Sequence, residues 1–317
     1  MKKQFNILQF ISNFIKFSSR QGENEKKAAK LIISVLDKNK ISYSVHEFST
    51  KIPLSKKASL FANGKKINCK SCSFVSGKIN DKEHLISSLT PSVCFLELPN
   101  INFNPKCLDI SLSNHYFAPA IAIYRKDLQK IIKANKITGE VKVTPYKYQS
   151  QNILIGNQKN PEVIVFAHYD SIGKGATDNA SGVAVLMKSI IDHPETLSKT
   201  LYVFSGNEEL SYDKPTYWGH GYREFEKKYK NILEKSKKII VVDGVGSGKT
   251  NIYRDKNMIH LTFPIKSVKK LENKIIVLLG DFEKIMTVYH SDSDNISQLN
   301  IKYLLEAEKL LIKKVSI

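Results

Sequence analysis

Four short apolar runs constrain this chain more than any other feature. Val163–Ala167, Leu201–Phe204, Ile239–Val242 and Ile275–Leu279 contain no charged or amide side chain. A strand wetted on one face alternates apolar with polar residues, whereas one apolar throughout is covered on both faces, as in the sheets of α/β proteins. Helical patterns fall between the runs: Gly182 to Asp192 with Val183, Val185, Leu186 and Ile190 inward, then Tyr222 to Glu234, then a closing helix from Ile296 to about Lys314. From about Gln151 onward the pattern therefore predicts an α/β fold, a mixed central sheet flanked by helices.

Upstream, Glu23 to Lys38 carries a helical stripe of Ala28, Ala29, Leu31, Ile32, Val35 and Leu36, and Tyr43 to Phe48 alternates like a strand. From about Ser49 to Glu140 the character changes to short segments and turn signals such as Asn63-Gly64 and Ser76-Gly77, with a strand running into a helix at Ala120 to Ile132. The expected organisation is one larger domain made of residues 1–48 and 141–317, carrying a small β-rich inserted subdomain at 49–140.

The chemistry sits where the runs end. Val163–Ala167 leads into His168-Tyr169-Asp170, and Leu201–Phe204 leads through Ser205-Gly206-Asn207 into Glu208-Glu209. Ile239–Val242 ends in Asp243, and a segment read as extended, Met286 to Tyr289, ends in His290. Asp178 lies in the loop Gly175-Ala176-Thr177-Asp178-Asn179, just before a helix. In open α/β sheets ligands bind beyond the carboxyl ends of the strands, so these groups are expected to converge. Crowded carboxylates disfavour one another's charge, and divalent cations reverse that cost. Imidazole plus carboxylate suits zinc, and two ions about 3.5–4 Å apart can share a carboxylate and a water. Of the adjacent pair Glu208-Glu209, one carboxylate would then bind metal while its neighbour stays free as a general base.

The string Ala167-His168-Tyr169-Asp170-Ser171, then Asp178-Asn179-Ala180-Ser181-Gly182, then Asn207-Glu208-Glu209, then Asp243, then Tyr289-His290-Ser291 resembles the M28 family of zinc metallopeptidases over residues 160 to 300. More weakly, Ser19-Arg20 and Gly22 look like that family's entry segment. The resemblance implies two zinc ions, His168 and Asp243 on one, Glu209 and His290 on the other, with Asp178 bridging, through a cis peptide to Asn179. It also implies Glu208 as base and then acid, Asp170 orienting His168, and Tyr289 assisting the developing oxyanion. Asp294 matches a later acidic position, and a helix N-cap before Ile296 explains it equally. The implied activity is hydrolysis of N-terminal peptide bonds by an aminopeptidase. Within the same fold a glutaminyl cyclase-like or carboxypeptidase-like enzyme is the alternative; outside it, a non-catalytic binding protein retaining the fold.

The chain departs from the family in two places. The stretch between Asp243 and His290 is short, which trims the region where substrate choice would be written. The insert only faintly resembles a protease-associated domain, best at Ala118-Pro119-Ala120-Ile121-Ala122-Ile123, because Cys69, Cys72, Cys94 and Cys107 lie outside that pattern. The Cys69/Cys72 pair lacks a partner pair at zinc-finger spacing; free thiols are the default, with a disulfide or second structural metal as alternatives.

The formal charge is +19, almost wholly from scattered lysines; arginine occurs only at positions 20, 125, 223 and 254. That argues for a solvated basic surface and against a nucleic-acid partner, since phosphate and base readers are usually arginines. No apolar run is long enough to span a bilayer. The N-terminus, with Phe5, Leu8, Ile11 and Ile15 on one side, reads as an amphipathic helix rather than a signal peptide. The expected setting is thus cytoplasmic, with export left open, and the expected partner is a peptide substrate. Tyr217-Trp218-Gly219-His220-Gly221-Tyr222, after the glutamate pair, is either a pocket wall or a packed loop. Gly244 to Thr250 imitates a phosphate-binding loop, but its first glycine would fall on Asp243, and Asn251–Phe263 reads as strand rather than the helix such a loop requires.

Overall fold

The computed structural model describes residues 5–90 and 96–316. Cys94 and the first residues of the chain lie outside them. The chain forms two compact units, one of residues 1–50, 148–285 and 294–317, the other of 51–147 and 286–293.

The first unit is a mixed α/β layer structure. Its strands are β1 (Tyr43–Ala62, which continues past the unit's boundary), β2 (Ile137–Gly156, which enters it at Tyr148), β3 (Val163–His168), β4 (Thr200–Ser205), β5 (Lys238–Asp243), β6 (Asn251–Tyr253) and β7 (Ile275–Leu279). The sheet order is β6-β7-β5-β3-β4-β2-β1. The central strands β7, β5, β3 and β4 run parallel, and β2 and β6 are antiparallel to their neighbours. Parallel strands need crossover helices, and the sequence supplies them. The helices are α1 (Ile7–Phe14), α2 (Glu23–Lys38), α3 (Ser181–Asp192), α4 (His220–Lys235), α5 (Lys256–Thr262) and α6 (Ile301–Val315).

The apolar runs are buried on both faces, as their composition requires. Val165, Ala167, Phe204, Ile240, Val242 and Leu278 pack with α1, α2, α3 and α6 in one core. The alternate residue Phe166 faces the other way, its ring 5.0 Å from Phe225, 5.6 Å from Tyr222 and 4.8 Å from Phe263. Each buried side chain of this size contributes roughly 1.5–3 kcal/mol, so a strand such as β3 is fixed by its own sequence.

In the second unit, residues 60–62 pair with 65–67 and 77–79 with 139–141, and a separate sheet runs in the order 69–71, 120–123, 100–103, 85–87. Leu60, Ile79, Ile101, Ile121, Ile131 and Val141 are among the residues of its core. Cys69, Cys72 and Cys107 are free thiols.

Four local expectations are corrected. The buried stripe of α1 is Ile7, Phe10, Ile11 and Phe14, with Phe5, Leu8 and Ile15 only partly covered; Asn6 caps the helix by accepting from the Gln9 amide at 3.0 Å and so sets its phase. Asn251–Phe263 is strand only to Tyr253, because Asp255 accepts from the Met258 amide and starts α5. The closing helix begins at Ile301 rather than Ile296, since Asn300 caps it and also donates its amide to Gly246 O at 2.9 Å. Met286–Tyr289 is not extended. A short helix, Phe282–Met286, leads into turns through His290, started by Asp281, whose carboxylate accepts from the Lys284 amide and whose carbonyl accepts from the Ile285 amide. The alternating burial of Met286, Val288 and His290 imitates a strand without being one.

Among the described residues no helix is long and apolar enough to cross a membrane. The Gly244–Thr250 segment leads into β6, and no helix begins at its Gly248-Lys249-Thr250 end.

Candidate active site

Strand register brings the chemical groups together in the first unit. His168 is the last residue of β3 and pairs with Ser205, the last of β4; Asp243 ends β5 next door. The His168 imidazole faces carboxylates on both sides. Its Nε2 lies 3.2 Å from Asp178 Oδ1 and 3.6 Å from Asp243 Oδ1, and its Nδ1 lies 3.4 Å from Asp170 Oδ1. Ligating atoms of His168, Asp178 and Glu209 all fall within 4.8 Å of one another.

The loops that carry the carboxylates are held by side-chain to backbone hydrogen bonds. Asp178 lies in a stretch of non-helical backbone just before α3, with a cis peptide to Asn179. The Asn179 carboxamide donates to Val242 O at 2.8 Å and accepts from the Gly182 amide at 3.0 Å, tying this loop to the end of β5. Asp294 accepts from the amides of Thr177 at 2.8 Å and Asp178 at 3.0 Å, so its carboxylate shapes the Asp178 loop. The N-cap before Ile296 is Asn295 instead.

Asp170 does more than stand behind His168. Its Oδ1 accepts the Glu208 amide at 3.0 Å and its Oδ2 the Glu209 amide at 2.9 Å. One buried carboxylate thus faces the histidine and pins the turn of the glutamate pair. Asn207, just before the pair, takes a left-handed φ of +51°, a conformation asparagine tolerates better than most residues. Its side chain accepts from Thr50 Oγ1 and donates to Leu210 O at 2.7 Å. The start of α4 supports the same turn, with the Gly219 and Gly221 amides donating to Glu208 O and Asn207 O. A Cβ at Gly221 would meet Gly206 O at 1.9 Å, backbone against backbone. Gly221→Ala is therefore expected to destabilise the fold by about 3 kcal/mol, read as a lower urea midpoint with an unchanged slope.

Two buried groups went unassigned in the sequence. In the sequence Arg20 stands out only as part of the entry segment Ser19-Arg20. Its fully buried guanidinium donates to the carbonyls of Tyr169 at 2.7 Å, Lys174 at 2.9 Å and Gly175 at 2.9 Å, organising the loop between His168 and Asp178. Burial pulls its pKa down to about 10 against the opposing pull of Asp170, Asp294, Glu209 and Asp178. Glu25, buried in the first turn of α2, accepts from Tyr148 and Ser150 near Asn207. Burial, followed by the charge of Asp170, pushes it up to about 8. Neither residue is marked by the end of an apolar run, the signal that locates His168, Glu209 and Asp243.

The electrostatics are those of a crowded acidic crevice. Burial raises Glu208 well above the usual carboxylate range; Glu209, Asp170 and Asp243 add to the rise and His168 opposes it. Burial also raises Asp243, His168 opposing and Asp178 adding. Burial alone would lower His168, but Asp170, Asp178 and Asp243 reverse that and hold it well above its ordinary value. Carboxyl groups raised by burial and by the charge of their neighbours are a donor set that a divalent cation can satisfy.

The remaining expected residues, Tyr289 and His290, belong to the second unit. Their rings stack on each other with centroids 3.7 Å apart, and His290 has a φ of +50°. In the loop after the glutamate pair, Arg223 is buried and bonds Asp213 and the carbonyls of Thr216 and Trp218, while Trp218 donates to Leu261 O.

Polar and acidic groups gathered beyond the carboxyl ends of central parallel strands mark the ligand site of an α/β protein. Residues 152–258 match the model of peptidase family M28. The match covers about a third of this chain. Among curated proteins none matches it by sequence. Among solved structures, a zinc aminopeptidase from Bacillus subtilis is similar at 16% identity and a TM-score of 0.69, over 96% of this chain and 92% of that one. An aminopeptidase from Aneurinibacillus sp. strain AM-1 is similar at 17% identity and a TM-score of 0.61, over 96% and 93%. A glutaminyl cyclase from an Acidobacteriales bacterium is similar at 12% identity and a TM-score of 0.53, over 100% and 95%. At these identities the likeness is one of fold.

Proposed function

We propose that the chain is a two-zinc exopeptidase that hydrolyses N-terminal peptide bonds. The observation that carries this reading is His168 between Asp178 and Asp243 on Nε2 and Asp170 on Nδ1, with the Glu208-Glu209 turn pinned by that same Asp170. His168 and Asp243 would hold one zinc, Glu209 and His290 the other, and Asp178 both; the place of His290 rests on motif order. Bound there, zinc supplies Lewis acidity toward a carbonyl and lowers the pKa of water.

The chain's own groups do the rest. Glu208 takes the proton from the attacking water and returns it to the departing amine. Its pKa, raised by burial, makes it a stronger proton acceptor than an exposed carboxylate. Asp170 keeps the His168 Nδ1 side occupied, so that Nε2 faces the crevice. Tyr289 assists the developing oxyanion. The zinc aminopeptidase fold neighbour supports both the metal and the reaction class.

The test pairs zinc titration of purified protein with a panel of aminoacyl-anilides. Two zinc ions per chain and release of the anilide are expected, with turnover lost on chelation and regained with zinc. Protein that takes up no zinc sinks the reading. The cyclase neighbours define a second outcome: turnover confined to N-terminal glutamine, without hydrolysis, makes this chain a cyclising enzyme.

A further inference from the structure

Within the second unit, the segment 286–293 is clamped by residues of the β-rich insert. Asn104 Nδ2 donates to Met286 O at 3.1 Å, and Ser111 Oγ donates to Tyr289 O at 2.6 Å. The Leu112 amide donates to His290 O at 3.0 Å, and Leu112 O lies 3.1 Å from His290 Nδ1. Lys70 pairs with Asp292 at 2.7 Å, and Cys107 Sγ lies 3.7 Å from Ser291 Oγ. Asn104, Ser111, Cys107 and Ser291 are all fully or almost fully buried.

Two consequences follow for His290. A carbonyl oxygen can only accept, so Leu112 O holds the proton on Nδ1 and leaves the lone pair on Nε2, the tautomer that binds a metal. A left-handed φ at a histidine costs energy and persists only where the surroundings over-determine it; the two-way contact with the Leu112 backbone does so. We infer that the inserted unit is the positioning element of the catalytic histidine: Asn104, Ser111 and the Leu112 backbone fix the conformation and tautomer of His290. This rests on the proposed role of His290 as a zinc ligand.

The experiment measures both zinc affinities by chelator competition in wild type, His290→Ala, Ser111→Ala and Asn104→Asp, together with melting of each metal-free protein. Asn104→Asp replaces the donor facing Met286 O with an acceptor at nearly constant volume. His290→Ala is expected to lose one zinc. Ser111→Ala and Asn104→Asp are expected to weaken that same ion by about ten- to a hundred-fold while the other stays within two-fold. If His290→Ala binds both ions like wild type, the ligand reading fails and this inference with it. If His290→Ala loses an ion but Ser111→Ala, folded by its melting curve, keeps both affinities within two-fold, the ligand reading stands and this inference is overturned. Ser111→Ala decides the matter alone should Asn104→Asp not fold.

Discussion

Glu208→Gln is expected to lower kcat for aminoacyl-anilide hydrolysis by about a thousand-fold, within the span assigned to a positioned general acid–base. The substitution keeps the shape of the side chain and removes its ability to take a proton. The backbone that holds position 208 is untouched, because Asp170 grips the amide and the start of α4 caps the carbonyl. Zinc stoichiometry and melting temperature should therefore match wild type. A variant that keeps more than a tenth of the rate would remove Glu208 from the mechanism. One that also loses zinc would make it a ligand rather than a base.

The second large effect is expected at Asp170. Four donors surround its two oxygens: the amides of Glu208 and Glu209, the Gln21 carboxamide at 3.2 Å, and the Nδ1 side of His168. Only a carboxylate accepts from all of them. In Asp170→Asn, whichever way the amide turns, its NH2 meets one of the glutamate-pair amides. A buried donor without an acceptor costs about 1–3 kcal/mol, and the bonds lost were charge-assisted. Metal-free protein should thus unfold at a urea concentration corresponding to about 2–3 kcal/mol less stability. Zinc affinity should fall by about ten- to a hundred-fold, as for other groups that orient a metal-binding histidine. An Asp170→Asn protein with wild-type zinc affinity and stability would reduce this residue to a bystander.

The contrast between these residues and Glu25 marks what is legible in such a chain. His168, Glu209 and Asp243 stand at or just beyond strand ends, and β3, β4 and β5 are readable because nothing but a doubly covered strand explains uninterrupted runs like Val163–Ala167. Asp178 is legible only through the motif around it, since a loop has no periodicity. Asp294 could be read as a cap or as a site residue, because its bonds run to Thr177 and Asp178, more than a hundred positions away. Arg20 and Glu25 carry no local signal, as their partners are carbonyls and hydroxyls supplied by distant segments. The approach to His290 looks extended in sequence for a different reason: alternating burial arises in a helix end followed by turns when the packing surface repeats every second residue.

The clamp on 286–293 also bears on how the molecule is made. The bond from Asn104 to Met286 closes a loop of 182 residues, and that from Ser111 to Tyr289 one of 178. A ribosome must pass residue 293 before the second unit has all its chain, although residues 51–147 emerge early. Contacts of such separation form late, after local helices and hairpins. A nascent chain stopped short of Met286 would hold His168, Asp178, Glu209 and Asp243 and still lack His290. On the proposed ligand assignment, hydrolytic competence would arrive only once His290 has been synthesised and clamped.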